Sequence, residues 1–153
     1  MAIKGAKIKK KEIVIGTGKV EETLQETKQK VDSKVNAAEK KISKALAEKI
    51  ADALSDKKGY DIDVIDTSKV TILADYFVIC SGTSTTHIKS LADEVDFQLS
   101  KDGLEPLHRE GYSTARWILL DYGSVIVHVF HEEERKFYSL ERLWSDGTIT
   151  RRD

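Results

Sequence analysis

A change of hydrophobic period between residues 75 and 121 limits the folds open to this chain more than any other feature. Residues 75–81 (Asp-Tyr-Phe-Val-Ile-Cys-Ser) form a nearly continuous apolar run, which is typical of a central strand buried on both faces. A helical period follows, with Ser84 or Thr85 as N-cap, Gly103 just past the end, and one apolar face made of Ile88, Leu91, Ala92, Val95 and Leu99. Residues 115–121 then return to a strand pattern. A strand–helix–strand unit of this length favours a parallel, right-handed crossover.

Further strands and a last helix extend this unit. Residues 61–65 alternate polar and apolar, which predicts a strand with one face on the core. Tyr122-Gly123 between two apolar runs indicates a β-hairpin. Residues 132–134 are all Glu and favour a helix start, and the apolar stripe of that helix comprises Phe137, Leu140, Leu143 and Trp144. Four strands in a mixed α/β layer are expected.

The N-terminal quarter differs in charge from the rest. Residues 1–41 hold 11 Lys and 6 Asp+Glu, a net +5, whereas residues 42–153 hold 14 Lys+Arg and 20 Asp+Glu, a net −6. Apolar residues recur at helical steps from Val20 to Leu54, and from Ile42 onward they are large enough to pack on a core. We therefore expect a basic, partly helical extension over 1–41 and an α/β domain over 42–153. The extension suits contact with RNA phosphates or self-association as a homodimer, and the body suits a basic protein.

Location and redox state follow from composition. No apolar run approaches the length needed to span a bilayer, and no secretory signal is visible, so a cytoplasmic protein without membrane contact is expected. The single cysteine, Cys80, lies within an apolar run and is expected to be a buried small hydrophobe.

Candidate catalytic groups do not form a recognised constellation. Asp61 and Asp63, with the turn 81–84, invite comparison with the magnesium and phosphate site of nucleotidyltransferases, but there the Gly-Ser turn precedes the Asp pair. Exposed strand positions that carry acids are the simpler interpretation. The four histidines match no zinc spacing, and alternation through residues 124–130 makes His128 a buried structural residue. No catalytic residue, metal or cofactor is predicted.

Aromatic and charged side chains concentrate late in the chain, and Trp, Tyr and Arg are the residues that anchor protein interfaces. Phe130 and Phe137 are expected in the core. On the strand that holds Trp117, Trp117 and Leu119 point to one face and Ile118 and Leu120 to the other, so one pair can face outward.

Five blocks of sequence carry a family resemblance. They are residues 75–84 (DYFVICSGTS), 110–111 (EG), 117–123 (WILLDYG), 127–130 (VHVF) and 135–144 (RKFYSLERLW). In this order they resemble the Iojap family, the ribosomal silencing factors, over roughly residues 44–146. Ser124 departs from the Asp that usually follows this glycine in the family, and the long basic extension is a second departure.

The resemblance implies a nucleotidyltransferase-like α/β fold, with a mixed β-sheet flanked by helices, without the catalytic motif. The helical period from Val20 to Leu54 predicts that a long N-terminal helix precedes it. It implies a non-enzymatic factor that binds ribosomal protein number fourteen of the large ribosomal subunit. The bound factor blocks association with the small subunit and represses translation. By position, the contacts are Trp117, Ile118, Leu119, Leu120, Tyr138, Glu141 and Trp144. The alternative is a nucleotide-binding or residual nucleotidyltransferase-like protein, suggested by the Asp pair and the turn 81–84.

Overall fold

A six-stranded mixed sheet forms the centre of the computed structural model, which describes residues 33–143 and 147–152. The strands lie in the order β3-β4-β5-β2-β1-β6. Along the chain the elements are α1 (Ser33–Asp56), β1 (Tyr60–Asp66), β2 (Tyr76–Gly82), α2 (Thr85–Ser100), β3 (His108–Glu110), β4 (Trp117–Asp121), β5 (Val125–His131), α3 (Glu132–Tyr138), α4 (Leu140–Leu143) and β6 (Thr148–Arg152). The predicted mixed α/β class is confirmed.

The strand connections correct one expectation. The chain forms the predicted β4–β5 hairpin, and β5 pairs with β2 in parallel, so β4 runs antiparallel to β2. The crossover from β2 through α2 therefore ends in β3, a short edge strand whose sequence His-Arg-Glu carries no apolar signal. The predicted parallel relation between β2 and residues 115–121 is wrong. β6 was also missed, because a polar edge strand needs no buried face.

Both faces of the sheet are covered, one by two long helices and the other by a loop segment and two short helices. The first core cluster joins one face to the buried sides of α1 and α2, and includes Ile50, Leu91 and Val127. The second cluster lies on the other face and includes Phe77 and Trp117, where segment 67–74 and the short helices α3 and α4 provide the cover. β2 is buried along its whole length, as predicted.

Helix α1 packs on the core through a row that shares only part of the expected stripe: Ile50 and Leu54 are buried as predicted, but Ile42 is not. Ser43, Ala47, Ile50 and Leu54 are buried at steps of four and three, whereas Ile42 is 69% exposed. Ser43 can occupy this row because its hydroxyl donates to Asp75 Oδ2 at 2.7 Å. The packing of Ile42 on the core is therefore a wrong prediction. Residues 20–32 of the proposed long helix lie outside the described residues.

Helix α2 follows the sequence prediction at both ends. Ser84 is the N-cap, and its hydroxyl oxygen accepts from the backbone N–H of His87 at 3.1 Å. After the last turn, Gly103 adopts φ +76°, and the N–H of Leu104 donates to the carbonyl of Leu99 at 3.0 Å. The five predicted apolar residues of this helix are the buried ones.

The last predicted helix is broken in two. Ser139 adopts a left-handed conformation with φ 45°, which ends α3 at Tyr138 and rotates α4 relative to it. The stripe expected from Phe137 to Trp144 consequently does not form within the described residues: Leu140 is buried, but Phe137 is 73% exposed. The expectation that Phe137 is a core residue is wrong, whereas that for Phe130 is confirmed.

Gly111 is a backbone position where only glycine fits. Its φ is +83°, and a Cβ there would lie well inside contact distance of the Trp117 carbonyl oxygen. Gly103 has a similar φ of +76° but nothing within 4 Å of its would-be Cβ. We expect Gly103→Ala to lower the free energy of unfolding by about 1 kcal/mol through the left-handed backbone alone. Gly111→Ala should cost about 2–4 kcal/mol because overpacking is added.

Urea denaturation of both glycine variants measures this difference. Equal midpoints would show that the close approach of Gly111 to β4 does not constrain the folded state.

Candidate functional site

Strand β4 does not present its predicted contact residues to solvent. Trp117, Ile118 and Leu120 are fully buried, and Leu119 is nearly so. The two faces divide as predicted, with Ile118 and Leu120 in the first cluster and Trp117 and Leu119 in the second. The expectation that one pair faces outward is wrong, because both faces of β4 are covered. A role of this strand in partner binding stays a prediction, and it would have to act through the side chains packed over it.

The Trp117 indole lies at the centre of an aromatic group on the second face. It packs against Phe130 at 4.8 Å and Tyr138 at 4.9 Å between ring centroids. Its Nε1–H donates to Nδ1 of His128 at 3.1 Å, so this histidine nitrogen carries no proton. His128 is buried and also contacts Phe77 at 5.0 Å between ring centroids. The prediction of a buried structural histidine with a partner is confirmed.

Some apolar side chains that pack on the second face remain partly exposed. Val70, Leu73 and Tyr138 pack against the second cluster and remain partly exposed. Phe137 makes an edge-to-face contact with Tyr138 at 5.0 Å between centroids. We call these four residues the open face. Partial burial raises the pKa of the Tyr138 hydroxyl, and the charge of Glu134 adds to this, so Tyr138 is a neutral amphipathic ring at neutral pH.

Acidic residues border the open face at the start of α3. Of residues 132–134, Glu133 and Glu134 form ion pairs with Arg116, each at 3.0 Å. Glu132 accepts a hydrogen bond from the Tyr60 hydroxyl at 2.6 Å. The predicted macrodipole arrangement, with acids in the first turn, is present.

Glu141 and Trp144 are the two remaining predicted contacts. Glu141 belongs to α4 and is partly buried, and its Oε1 accepts from Arg135 Nε at 3.3 Å. It is therefore engaged within the chain. Trp144 lies outside the described residues.

Sequence reasoning missed a buried ion-pair network around Arg135, in the middle of α3. Asp63 is only 2% exposed and accepts from Arg135 Nη2 at 2.8 Å, and Arg151 of β6 also binds its carboxylate. Arg135 is 6% exposed and donates further to the Asp61 carbonyl, to Ser81 Oγ and to Glu141. The signal was present in the sequence: an acid inside an apolar strand requires a cation partner.

The same ion pairs bear on whether Asp61 and Asp63 could form a magnesium site. Asp61 pairs with Arg151 at 3.0 Å, and Asp63 pairs with both arginines, so the two carboxylates are neutralised by the chain itself. The interpretation of Asp63 as an exposed strand acid is wrong. Across residues 33–143 and 147–152, no group of three His, Cys, Asp or Glu side chains could hold a metal ion.

Cys80 is fully buried, as predicted. Burial raises the pKa of its thiol to about 12, against a small opposing effect of Arg135. The thiol is therefore protonated and unreactive at neutral pH. No helix in the described part of the chain is long and apolar enough to cross a membrane.

Comparison with known proteins identifies relatives of this domain. The family model RsfS, described as ribosomal silencing factor during starvation, matches residues 40–153. The ribosomal silencing factor RsfS of Bacillus subtilis (strain 168) is 42% identical over 94 residues, which cover 61% of this chain and 80% of the relative. A mouse protein named mitochondrial assembly of ribosomal large subunit protein 1 is 34% identical over 95 residues, covering 60% of this chain and 42% of that protein.

Solved structures agree with these relatives. An X-ray structure of a Chromobacterium violaceum protein matches with a TM-score of 0.65 and 35% identity, over 67% of this chain and 85% of that one. A Bacillus halodurans structure matches with a TM-score of 0.61 and 37% identity, over 66% of this chain and 94% of that one. Since the family model covers well over half of the sequence, this chain belongs to the RsfS family of ribosomal silencing factors.

Proposed function

We propose that this chain binds the large ribosomal subunit and, while bound, blocks association with the small subunit and so represses translation. The observation that carries the proposal is the open face. It offers apolar and aromatic side chains at the surface of a domain whose family is that of ribosomal silencing factors. The name of the mouse relative, which refers to the ribosomal large subunit, supports the choice of subunit.

The architecture favours the second face of the sheet over the first. Two long helices, α1 and α2, cover the first face. The second face has only segment 67–74 and two short helices over it, and its apolar cluster reaches solvent through Val70, Leu73 and Tyr138. Exposed Phe137 extends this surface. Aromatic rings beside a polar rim are typical of the centre of a protein interface.

Charge supports a basic protein as the partner. Residues 42–153 carry a net −6, and Glu132 and Glu133 lie exposed at the border of the open face. Acidic surfaces steer and orient basic partners. Ribosomal protein number fourteen of the large subunit is the partner that the family resemblance implies. In this proposal Tyr138 makes direct contact, and residues 117–120 act by holding Tyr138 and its neighbours in place.

Other parts of the proposal rest on sequence. Trp144 stays a predicted contact, and Glu141 would contribute through its link to Arg135.

The net +5 of residues 1–41 supports contact of this extension with ribosomal RNA, and its apolar stripe supports a homodimer. We further propose a nucleotidyltransferase-like fold without its catalytic motif, a cytoplasmic location and a role without catalysis. The arginine pairing of Asp61 and Asp63 supports binding rather than magnesium chemistry.

Substitutions of two exposed phenylalanines test the open face. Phe137 belongs to it and Phe97 lies on α2 over the other face, and both are more than half exposed, so neither alanine variant loses much core packing. We expect Phe137→Ala to weaken binding to purified large subunits about tenfold and Tyr138→Ala to weaken it about thirtyfold, since interface aromatics dominate binding energy. Phe97→Ala should bind as wild type does.

Pelleting with large subunits gives the affinities, light scattering on mixing the two subunits reports their association, and thermal melting checks folding. Wild-type protein that stays in the supernatant would overturn the proposed binding. Equal losses in Phe137→Ala and Phe97→Ala would place the interface elsewhere.

A further inference from the structure

A polar cavity opens beside α3, and none of the four open-face residues lines it. Its volume is about 600 Å³, and its lining comes from the start of β1, the carboxyl end of β2, helices α3 and α4, and β6. This volume falls within the range of pockets that hold small molecules rather than macromolecules.

The sheet topology explains the position of the cavity. β2 and β5 are the parallel neighbours of the sheet, and their carboxyl ends meet where Gly82 pairs with His131. The helix after β2 packs on the first face, whereas the short helices after β5 pack on the second. In α/β sheets, connections that diverge in this way leave a crevice outside the carboxyl ends of the strands, where ligands bind.

The floor of the cavity holds buried hydrogen-bond donors. Ser81 and Arg135 line it, and both are more than nine-tenths buried. Arg135 Nη1 donates to Ser81 Oγ at 3.0 Å, so the Ser81 hydroxyl still has its own proton to donate. Four of the five N–H groups of Arg135 are used by acceptors in the chain, which leaves one.

The carboxylates around the cavity are already engaged. Asp61 pairs with Arg151, Glu132 accepts from the Tyr60 hydroxyl, and Glu141 accepts from Arg135. Behind the floor, Asp63 is held by Arg135 and Arg151.

Two cationic side chains at the rim have no carboxylate partner among the described residues. Lys136 and Arg142 line the cavity and are exposed, and neither forms a salt bridge with any residue that the structure describes. Four cations, Arg135, Lys136, Arg142 and Arg151, line the cavity together with three carboxylates, so the lining carries a net charge of +1. Arginine and lysine side chains around a hydroxyl donor form the donor set that recognises phosphate.

We propose that this cavity binds a small phosphorylated molecule. A phosphate group accepts hydrogen bonds from the Ser81 hydroxyl and from the remaining N–H of Arg135, and Lys136 and Arg142 meet its charge at the rim. The proposal does not depend on ribosome binding. It also differs from a magnesium site, because Asp61 and Asp63 serve here as partners of arginines.

Calorimetric titration with inorganic pyrophosphate at about 0.15 M ionic strength tests the site. We expect saturable binding to the full chain and at least a tenfold loss of affinity in the double variant K136M/R142M, since charge-assisted hydrogen bonds are the stronger class. Both substitutions are at exposed positions and leave the core intact. Ser81→Ala should weaken binding about fivefold, through one neutral hydrogen bond.

Lys69→Met is the matched control and should bind as wild type does. Lys69 is exposed and follows β1 at the opposite end of the sheet, where Asp66 pairs with Tyr76. Heat that does not saturate with wild-type protein, or equal affinity in K136M/R142M, would overturn the proposal. So would binding of a short single-stranded RNA that depends on Lys136 and Arg142 without any binding of pyrophosphate. Failure of the chain to pellet with ribosomes would leave this result unaffected.

Discussion

Trp117→Ala is expected to lower the free energy of unfolding by about 3–5 kcal/mol, the usual cost of truncating a large buried aromatic side chain. Trp117 is fully buried, and its indole contacts Phe130, Tyr138 and His128. Since whole domains are stable by only about 5–15 kcal/mol, this variant should be partly unfolded at 37 °C. Loss of ribosome binding in Trp117→Ala would therefore not show that Trp117 touches the ribosome.

Trp117→Phe separates a role of Trp117 in folding from a role in direct contact with the ribosome. Phenylalanine keeps an aromatic ring against Phe130 and Tyr138 but removes the N–H that His128 accepts, so the expected cost is about 1–3 kcal/mol. Urea denaturation gives the stability, and pelleting with large subunits gives the binding. If Trp117 acts only by supporting Tyr138, folded Trp117→Phe protein should bind large subunits nearly as well as wild type.

The opposite result would revise the site. A Trp117→Phe protein that is fully folded yet fails to pellet with large subunits, while Phe137→Ala binds normally, would make the indole itself the contact. That outcome would require segment 67–74 or α3 to move aside on binding, because the indole has no exposed surface in the free chain.

Periodicity predicted the elements that have a buried face. β2, α2 and β5 each place their apolar residues as the sequence indicates, because burial on one or both faces dictates the pattern. β3 and β6 lie at the edges of the sheet and carry polar residues, so no such pattern marks them. The family resemblance came from short blocks of sequence, and the family match confirms it.

The candidate site was less accessible to sequence reasoning, for a different physical reason. Alternation assigns a residue to a face of the sheet but does not show what covers that face. Alternation places Trp117 and Leu119 together on one face of the strand, yet Tyr138 of α3 packs on the indole, which is fully buried. Phe137 was assigned to the core because a continuous helix was assumed, and the left-handed Ser139 ends that helix one residue later. Both errors depend on tertiary packing.

Asp63 carries a buried charge on which the fold depends. Its buried carboxylate binds Arg135 from α3 and Arg151 from β6, so it joins three elements that local sequence does not connect. Asp63→Asn preserves the shape of the side chain but removes the anion that the two arginines share. Arg151 keeps its pair with Asp61, and Arg135 keeps only the longer contact with Glu141. We expect the variant to lower the free energy of unfolding by about 3 kcal/mol, because a buried arginine that loses its main anion is costly. Chemical denaturation measures the loss.

Asp61→Asn is the matched control, two residues away on the same strand. The Asp61 side chain is about half exposed and pairs with the same Arg151, and asparagine tolerates the left-handed backbone at this position, where φ is 48°. The expected cost is at most about 0.5 kcal/mol, since solvent screens a surface ion pair. Similar midpoints for Asp63→Asn and Asp61→Asn would mean that water or repacking relieves Arg135. A large difference would identify the Asp63–Arg135 pair as the link that holds α3, and with it Tyr138, against the sheet.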